Sequence, residues 1–177
     1  MISNHQIYND FLSTEGLSRI RNALLREFEW FTHWTPCANI DAIRANELLP
    51  KRPHTLYTPE SVSTKFDGKP PCTCLAPLEY ADKWCGLSHH EGPFTLLVLP
   101  ATDLPELIGL DWTYPISWNH AEVINSHSAD RTLEQIFLSV VHNTWSFACY
   151  ERIPAENLLL WNQQGDFRDQ SNWVTLV

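Results

Sequence analysis

The spacing of hydrophobic residues predicts two long amphipathic helices. Apolar residues between Leu17 and Phe31 recur every three or four positions, with charged residues between them. That is the period of one buried helical face, so we expect a helix from Thr14 to Phe31. A second run of apolar residues with the same spacing predicts a later helix over Asp130–His142, with Asp130 as its cap.

Shorter elements complete the pattern. The continuous apolar run from Phe94 to Leu99 lies between Gly92-Pro93 and Pro100, which predicts a strand buried on both faces. Further strands are expected over 72–76, 118–124 and 145–152, short helices over 39–45 and 77–84, and a long loop over 50–71. Helices and strands mix without a strict βαβ rhythm, which indicates a single α+β domain over 1–177.

Charge and cysteine content narrow the classes of partner and compartment. The 177 residues carry 12 basic and 21 acidic side chains, a net charge of −9. Such a field disfavours nucleic acid and suits a basic protein partner. No apolar run is long enough to cross a bilayer, and neither a signal segment nor an even cysteine count is present. We therefore expect a cytoplasmic protein, or one delivered to a target-cell cytoplasm.

Between Thr32 and Leu49, the residues His33, Thr35, Asn39, Ile43 and Leu48 follow a characteristic spacing. This pattern resembles the N-terminal signature of DarT-like ADP-ribosyltransferases. In that family a His-x-Thr on the first strand precedes an Asn-led helix that ends in a Gly-Leu-like turn. Here Asn46 or Glu47 stands where a glycine is usual. The matching positions are occupied by His33, Thr35, Asn39, Ile43 and Leu48.

The resemblance implies NAD as substrate, and the residue types fit that ligand. His33 and Thr35 lie two apart on a strand, so both side chains point to one face. Asn39, capping the next helix, would leave backbone N–H groups for a phosphate or ribose oxygen. The alternative interpretation is a buried histidine that bonds a carbonyl, next to an ordinary helix cap.

Two residues are candidates for each of two further groups in such a pocket, the stacking aromatic ring and the cation. The family's stacking aromatic would be Tyr57, in the long loop, or Tyr80, after the second predicted strand. A cation for the pyrophosphate would be Arg44 or Lys51. Each of these side chains is equally compatible with ordinary packing or a solvent-facing charge.

The resemblance also implies a later carboxylate that stabilises the cation-like sugar as nicotinamide leaves. Glu122, within Ala121-Glu122-Val123-Ile124, has the expected sequence form, and Glu151 on the last predicted strand competes with it. Taken literally, the family's strand-then-proline spacing places Ser146 at the catalytic position. The sequence therefore leaves turnover of NAD an open question.

Three functions follow as hypotheses. The first is a mono-ADP-ribosyltransferase-like or NAD-hydrolysing protein with a split, bent sheet and flanking helices; its macromolecular acceptor would be protein rather than DNA. The second is a non-catalytic binding module, such as an immunity or adaptor protein, that retains the NAD-binding fold. The third is a small zinc domain, with four ligands in the order Cys72, Cys74, Cys85 and His89.

Overall fold

The computed structural model describes residues 14–51, 71–85, 92–110 and 131–177. Within these ranges four helices accompany seven strands, and short 3₁₀ turns join several of them. The helices are α1 (Thr14–Glu27), α2 (Ile40–Asn46), α3 (Ala81–Cys85) and α4 (Leu133–Thr144). The strands are β1 (Trp30–Pro36), β2 (Thr73–Pro77), β3 (Phe94–Pro100), β4 (Ile108–Gly109), β5 (Phe147–Cys149), β6 (Leu159–Trp161) and β7 (Trp173–Thr175).

The seven strands form one open antiparallel sheet in the order β4-β5-β2-β1-β3-β6-β7. Pairing along β1 is uneven. All of β1 pairs with β3, from Trp30 opposite Pro100 to Pro36 opposite Phe94. Its pairing with β2 covers only Phe31 opposite Pro77 and Thr32 opposite Ala76. From His33 onward β1 therefore has a ladder on one side only within the described residues.

The main core lies on one face of this sheet. Residues from α1, α2 and α4 pack there against apolar side chains of the strands, including Phe31, Leu75 and Phe147. Arg19 of α1 donates two hydrogen bonds of 2.8 Å to the Glu134 carboxylate of α4 and so links the two long helices. The domain is α+β, as the sequence predicts.

The opposite face carries an aromatic cluster. Leu96 and Val98 of β3 are fully buried under partly buried rings: Trp30, Trp34, Trp161, Phe167 and Trp173. The three indoles of Trp34, Trp161 and Trp173 each donate to a backbone carbonyl of the protein. These rings are consequently fixed as a second, smaller core.

Several element boundaries differ from the sequence prediction. The first helix ends at Glu27, and Phe31 lies in β1, because it is buried opposite Leu99 of β3. Pro77 ends β2 instead of opening a helix; a 3₁₀ turn follows it before α3. Asp130 lies outside the described residues, and Thr132 caps α4 in a reciprocal capping box with Gln135.

The strand predicted over 145–152 is confined to β5, where Phe147 and Cys149 pair with β2. The buried strand predicted over Phe94–Leu99 is confirmed, since residues 95–99 are all buried. The strand expected over 118–124 lies outside the described residues.

Candidate functional site

His33 sits where the β1–β2 pairing stops. Its Nδ1 lies 2.9 Å from the carbonyl oxygen of Cys74, and the side chain is half-buried. A carbonyl can only accept, so Nδ1 carries the proton and Nε2 presents a lone pair. No hydrogen-bond partner of Nε2 is found among the described residues. The imidazole thus offers a single acceptor.

The surroundings keep this imidazole uncharged. Burial lowers the pKa of His33 below its ordinary value, and the charge of Lys51 lowers it further, while the hydrogen bond to Cys74 opposes the shift. Lys51 is positioned by its backbone, which pairs with Cys72 just before β2. A neutral acceptor beside an exposed cation suits a ligand with hydroxyl or amide groups near a phosphate.

Thr35 and Asn39 form a second polar unit on the same strand end. The Thr35 side chain is 3% exposed, and its Oγ1 accepts a 3.3 Å hydrogen bond from Nδ2 of Asn39. Asn39 occupies the N-cap position of α2, but its side chain makes no capping bond to the helix. It orients the Thr35 hydroxyl instead, which can still donate its proton.

The helix that follows ends at an unusual backbone conformation. Glu47 has φ 68° and ψ 171°, and its N–H bonds the carbonyl of Ile43. This region of φ/ψ space is essentially restricted to glycine. The turn therefore falls at Glu47, one of the two positions where the resemblance places a glycine. Asn46, at the other position, is the last residue of α2.

The side chain of Arg44 makes polar contacts with Leu176 and Asp41. Its Nε donates 2.8 Å to the carbonyl of Leu176, and its Nη1 lies 3.1 Å from the carboxylate of Asp41. The contact with Leu176 ties α2 to the C-terminal segment, and the contact with Asp41 lies within α2. Of the two candidate cations, Lys51 is the one whose charge acts on His33.

Tyr80 lies at the other end of the sheet, beyond the C-terminal end of β2. Its hydroxyl is 2.6 Å from Nδ1 of His142, whose Nε2 lies 3.5 Å from the carboxylate of Glu27. Its ring packs edge-on against Phe28. The structure therefore places Tyr80 in contact with α1 and α4, apart from Thr35. Tyr57 lies outside the described residues.

Of the two candidate glutamates, the structure describes only one. Glu122 lies outside the described residues. Glu151 follows β5, and because β1 and β5 run in the same direction, it lies at the sheet end where β1 also ends. Two strand spacings, about 10 Å, separate the two backbones. Its Oε2 accepts a 2.7 Å hydrogen bond from the N–H of Leu107.

The residue at the family's literal glutamate position is buried. Ser146 precedes β5 directly and is 3% exposed. Three residues on, burial raises the pKa of Cys149 to about 12, so this thiol is protonated at neutral pH. Neither side chain supplies a carboxylate or a thiolate near His33.

The cysteines do not assemble a metal site within the described residues, where no group of three or more metal-binding side chains occurs. Cys72 is buried and Cys74 is half-buried. His89 and the side chain of Cys85 lie outside that part of the chain. Likewise, no described helix is long and apolar enough to cross a membrane.

Three comparisons with known proteins give no match. No family model, curated protein or solved structure is similar to this chain.

One polar residue near His33 is not predicted from the sequence pattern: a threonine on β2. Thr73 is 4% exposed, and its Oγ1 has no hydrogen-bond partner among the described residues. A threonine in a predicted strand is unremarkable on its own. Its position beyond the end of the β1–β2 ladder becomes visible only from the pairing of β2 with β1 and β5.

Proposed function

We propose that this chain is an NAD-dependent mono-ADP-ribosyltransferase-like protein. The observation that carries the proposal is the neutral imidazole of His33, which lies where the β1–β2 pairing ends and whose Nε2 has no partner within the described ranges. The ADP-ribosyltransferase type of split, bent sheet belongs to the same proposal. Its support is the contrast between the full β1–β3 ladder and the two-residue β1–β2 ladder.

The polar groups where the β1–β2 ladder ends complement the nicotinamide half of NAD. Nε2 of His33 can accept from a ribose hydroxyl or a carboxamide N–H, and the Thr35 hydroxyl can donate to an oxygen of the same ligand. Lys51, exposed beside them, suits the adjacent phosphates. Hydrogen-bonded neutral groups of this kind fix a ligand's orientation within a site.

Turnover requires a carboxylate opposite the sugar. The glycosidic C–N bond would break with its electron pair leaving on nicotinamide, and the acceptor nucleophile would bond the sugar carbon and lose a proton. Glu122 is the first candidate to stabilise the cation-like sugar, and Glu151 is the second. Because the chain carries a net charge of −9, the proposed acceptor is a basic protein surface.

Calorimetric titration of NAD against wild type, His33→Ala and Arg44→Ala tests the binding step. We expect binding by wild type, loss of about tenfold or more in the His33 variant, and little change in the Arg44 variant. Equal heats for wild type and His33→Ala, or no heat for either, would remove the proposal. Release of nicotinamide, compared among wild type, Glu122→Gln and Glu151→Gln, then identifies the carboxylate.

A binding module without turnover is the second candidate function. Its support is the buried Ser146 at the literal glutamate position and the engagement of the Glu151 carboxylate with Leu107. NAD binding with no nicotinamide release in wild type would favour this alternative. The zinc-domain hypothesis is tested separately by elemental analysis of protein purified without chelator.

A further inference from the structure

The buried threonine hydroxyls of the described residues are satisfied, with one exception. Thr32 donates to the carbonyl of Ala76, Thr95 to that of Trp161 and Thr144 to that of Val140. Thr35 accepts from Asn39. Only Thr73 has a buried Oγ1 without a partner in this part of the chain. Unpaired buried polar groups are rare in native proteins and call for a physical reason.

Thr73 lies on β2 beyond the end of the β1–β2 ladder. It is the first residue of β2 and pairs there with Cys149 of β5, while β1 no longer pairs with β2 at this level. Continued in register, the β1–β2 ladder would set Thr35 opposite Thr73. Strand alternation also puts Thr73 on the face of Leu75, which belongs to the main core together with Phe31. His33 and Thr35 share that face.

We infer that the Thr73 hydroxyl is a hydrogen-bonding group for the ligand of this site. It is neutral, and so is the imidazole of His33, so the ligand part they would share is an uncharged polar group rather than a phosphate. A carboxamide and a sugar hydroxyl both have that chemistry. The inference rests on the proposed function and adds a residue that helps determine which ligand is accepted.

A ligand role and a structural role predict opposite effects on stability. If the hydroxyl is unpaired in the free protein, Thr73→Val removes a buried unsatisfied group at nearly constant volume and raises the melting temperature. If the hydroxyl has a structural partner, the same change lowers it. Thr144→Val is the matched control, because its buried hydroxyl donates to the carbonyls of Val140 and Ser146, at the other end of β5 from the residue that pairs with Thr73. We expect that control to melt at a lower temperature and to keep its ligand affinity.

The experiment combines melting curves with calorimetric titration of NAD, nicotinamide and ADP-ribose. For Thr73→Val we expect a higher melting temperature and about tenfold weaker NAD binding, the loss of one hydrogen bond. Thr73→Ser, which keeps the hydroxyl, should bind within about twofold of wild type. A loss seen with nicotinamide identifies the carboxamide as the partner, and a loss seen with ADP-ribose identifies a sugar hydroxyl.

Two results would overturn the inference while leaving the proposed function intact. One is a lower melting temperature for Thr73→Val, like that of Thr144→Val. The other is NAD affinity unchanged in Thr73→Val when wild type binds NAD and His33→Ala does not. If wild type binds none of the three ligands, both the proposed function and the inference fail.

Discussion

Replacing Glu47 by glycine is expected to stabilise the protein. Glu47 ends α2 with φ 68° and ψ 171°, a conformation in which a side chain costs about 1–3 kcal/mol. Glycine adopts it freely but loses about 0.5–1 kcal/mol through its greater freedom in the unfolded chain. The 3.5 Å contact between the Glu47 carboxylate and Arg152 is solvent-exposed on the arginine side, so its loss costs no more than about 0.5 kcal/mol.

The net expectation for Glu47→Gly is a gain of about 1 kcal/mol, or about 2–4 °C in melting temperature for a domain of this size. Glu47→Ala is the matched control, because it removes the same carboxylate and keeps the strained backbone. Urea denaturation of wild type and both variants measures the difference. Asn46→Gly, one residue earlier and inside α2, should lower stability by about 0.3 kcal/mol, the difference between the helix propensities of the two residues.

The comparison between the two Glu47 variants decides the argument. Strain at this turn requires Glu47→Gly to be more stable than Glu47→Ala. If the glycine variant is equal to or less stable than the alanine variant, the backbone is not strained there, and the reasoning about this turn is refuted.

Three further predictions concern stability and reactivity. Thr132→Ala removes the capping box of α4 and should cost about 1 kcal/mol in urea denaturation; no loss would mean that the cap is dispensable. Cys149 should resist a thiol reagent at pH 8 in the folded protein, because burial raises its pKa to about 12, and should react on unfolding; fast modification of the native protein would contradict this. The Arg19 guanidinium lowers the pKa of Glu134 to about 2, so this carboxylate contributes stability at pH values above its ordinary range and loses the contribution as the pH falls towards 2. Glu134→Gln should therefore have a flatter stability profile between pH 5 and pH 2, and an unchanged profile would exclude the pair as a source of acid sensitivity.

The sequence predicted those elements whose burial follows a local period. The stripe of α4 appears in the structure with Ile136, Phe137 and Val140 buried, and the continuous apolar run of β3 is buried as expected. The boundary between α1 and β1 was misplaced because Phe31 fits both the helical period and a strand. Only its pairing with Leu99, a contact between distant segments, assigns it to β1.

Very short strands had no sequence signal. β4, β6 and β7 contain two or three residues each, too few for a period of two to be recognised. Their neighbours in the sheet define them, through pairs such as Leu160 with Val174. Tertiary pairing of this kind cannot be derived from a local pattern.

The candidate site was partly accessible from sequence. Alternation along a strand places His33 and Thr35 on one face without further information. The sequence contains no indication that Tyr80 contacts His142, because the two are separated by 62 positions. Nor does it reveal the unpaired hydroxyl of Thr73, which depends on where β1 and β2 stop pairing.

The β1–β2 junction is held by fewer residue pairs than the β1–β3 junction. Separating β1 from β3 would break a ladder of seven residue pairs, whereas separating β1 from β2 would break a ladder of two. Among the described residues, the strands β4, β5 and β2 pair with β1 only at Phe31 and Thr32. Isolated backbone bridges from Leu48 to Ile153 and from Lys51 to Cys72 add to this link. Amide hydrogen exchange measured strand by strand would register this asymmetry as earlier exchange along the β1–β2 junction than along the β1–β3 junction.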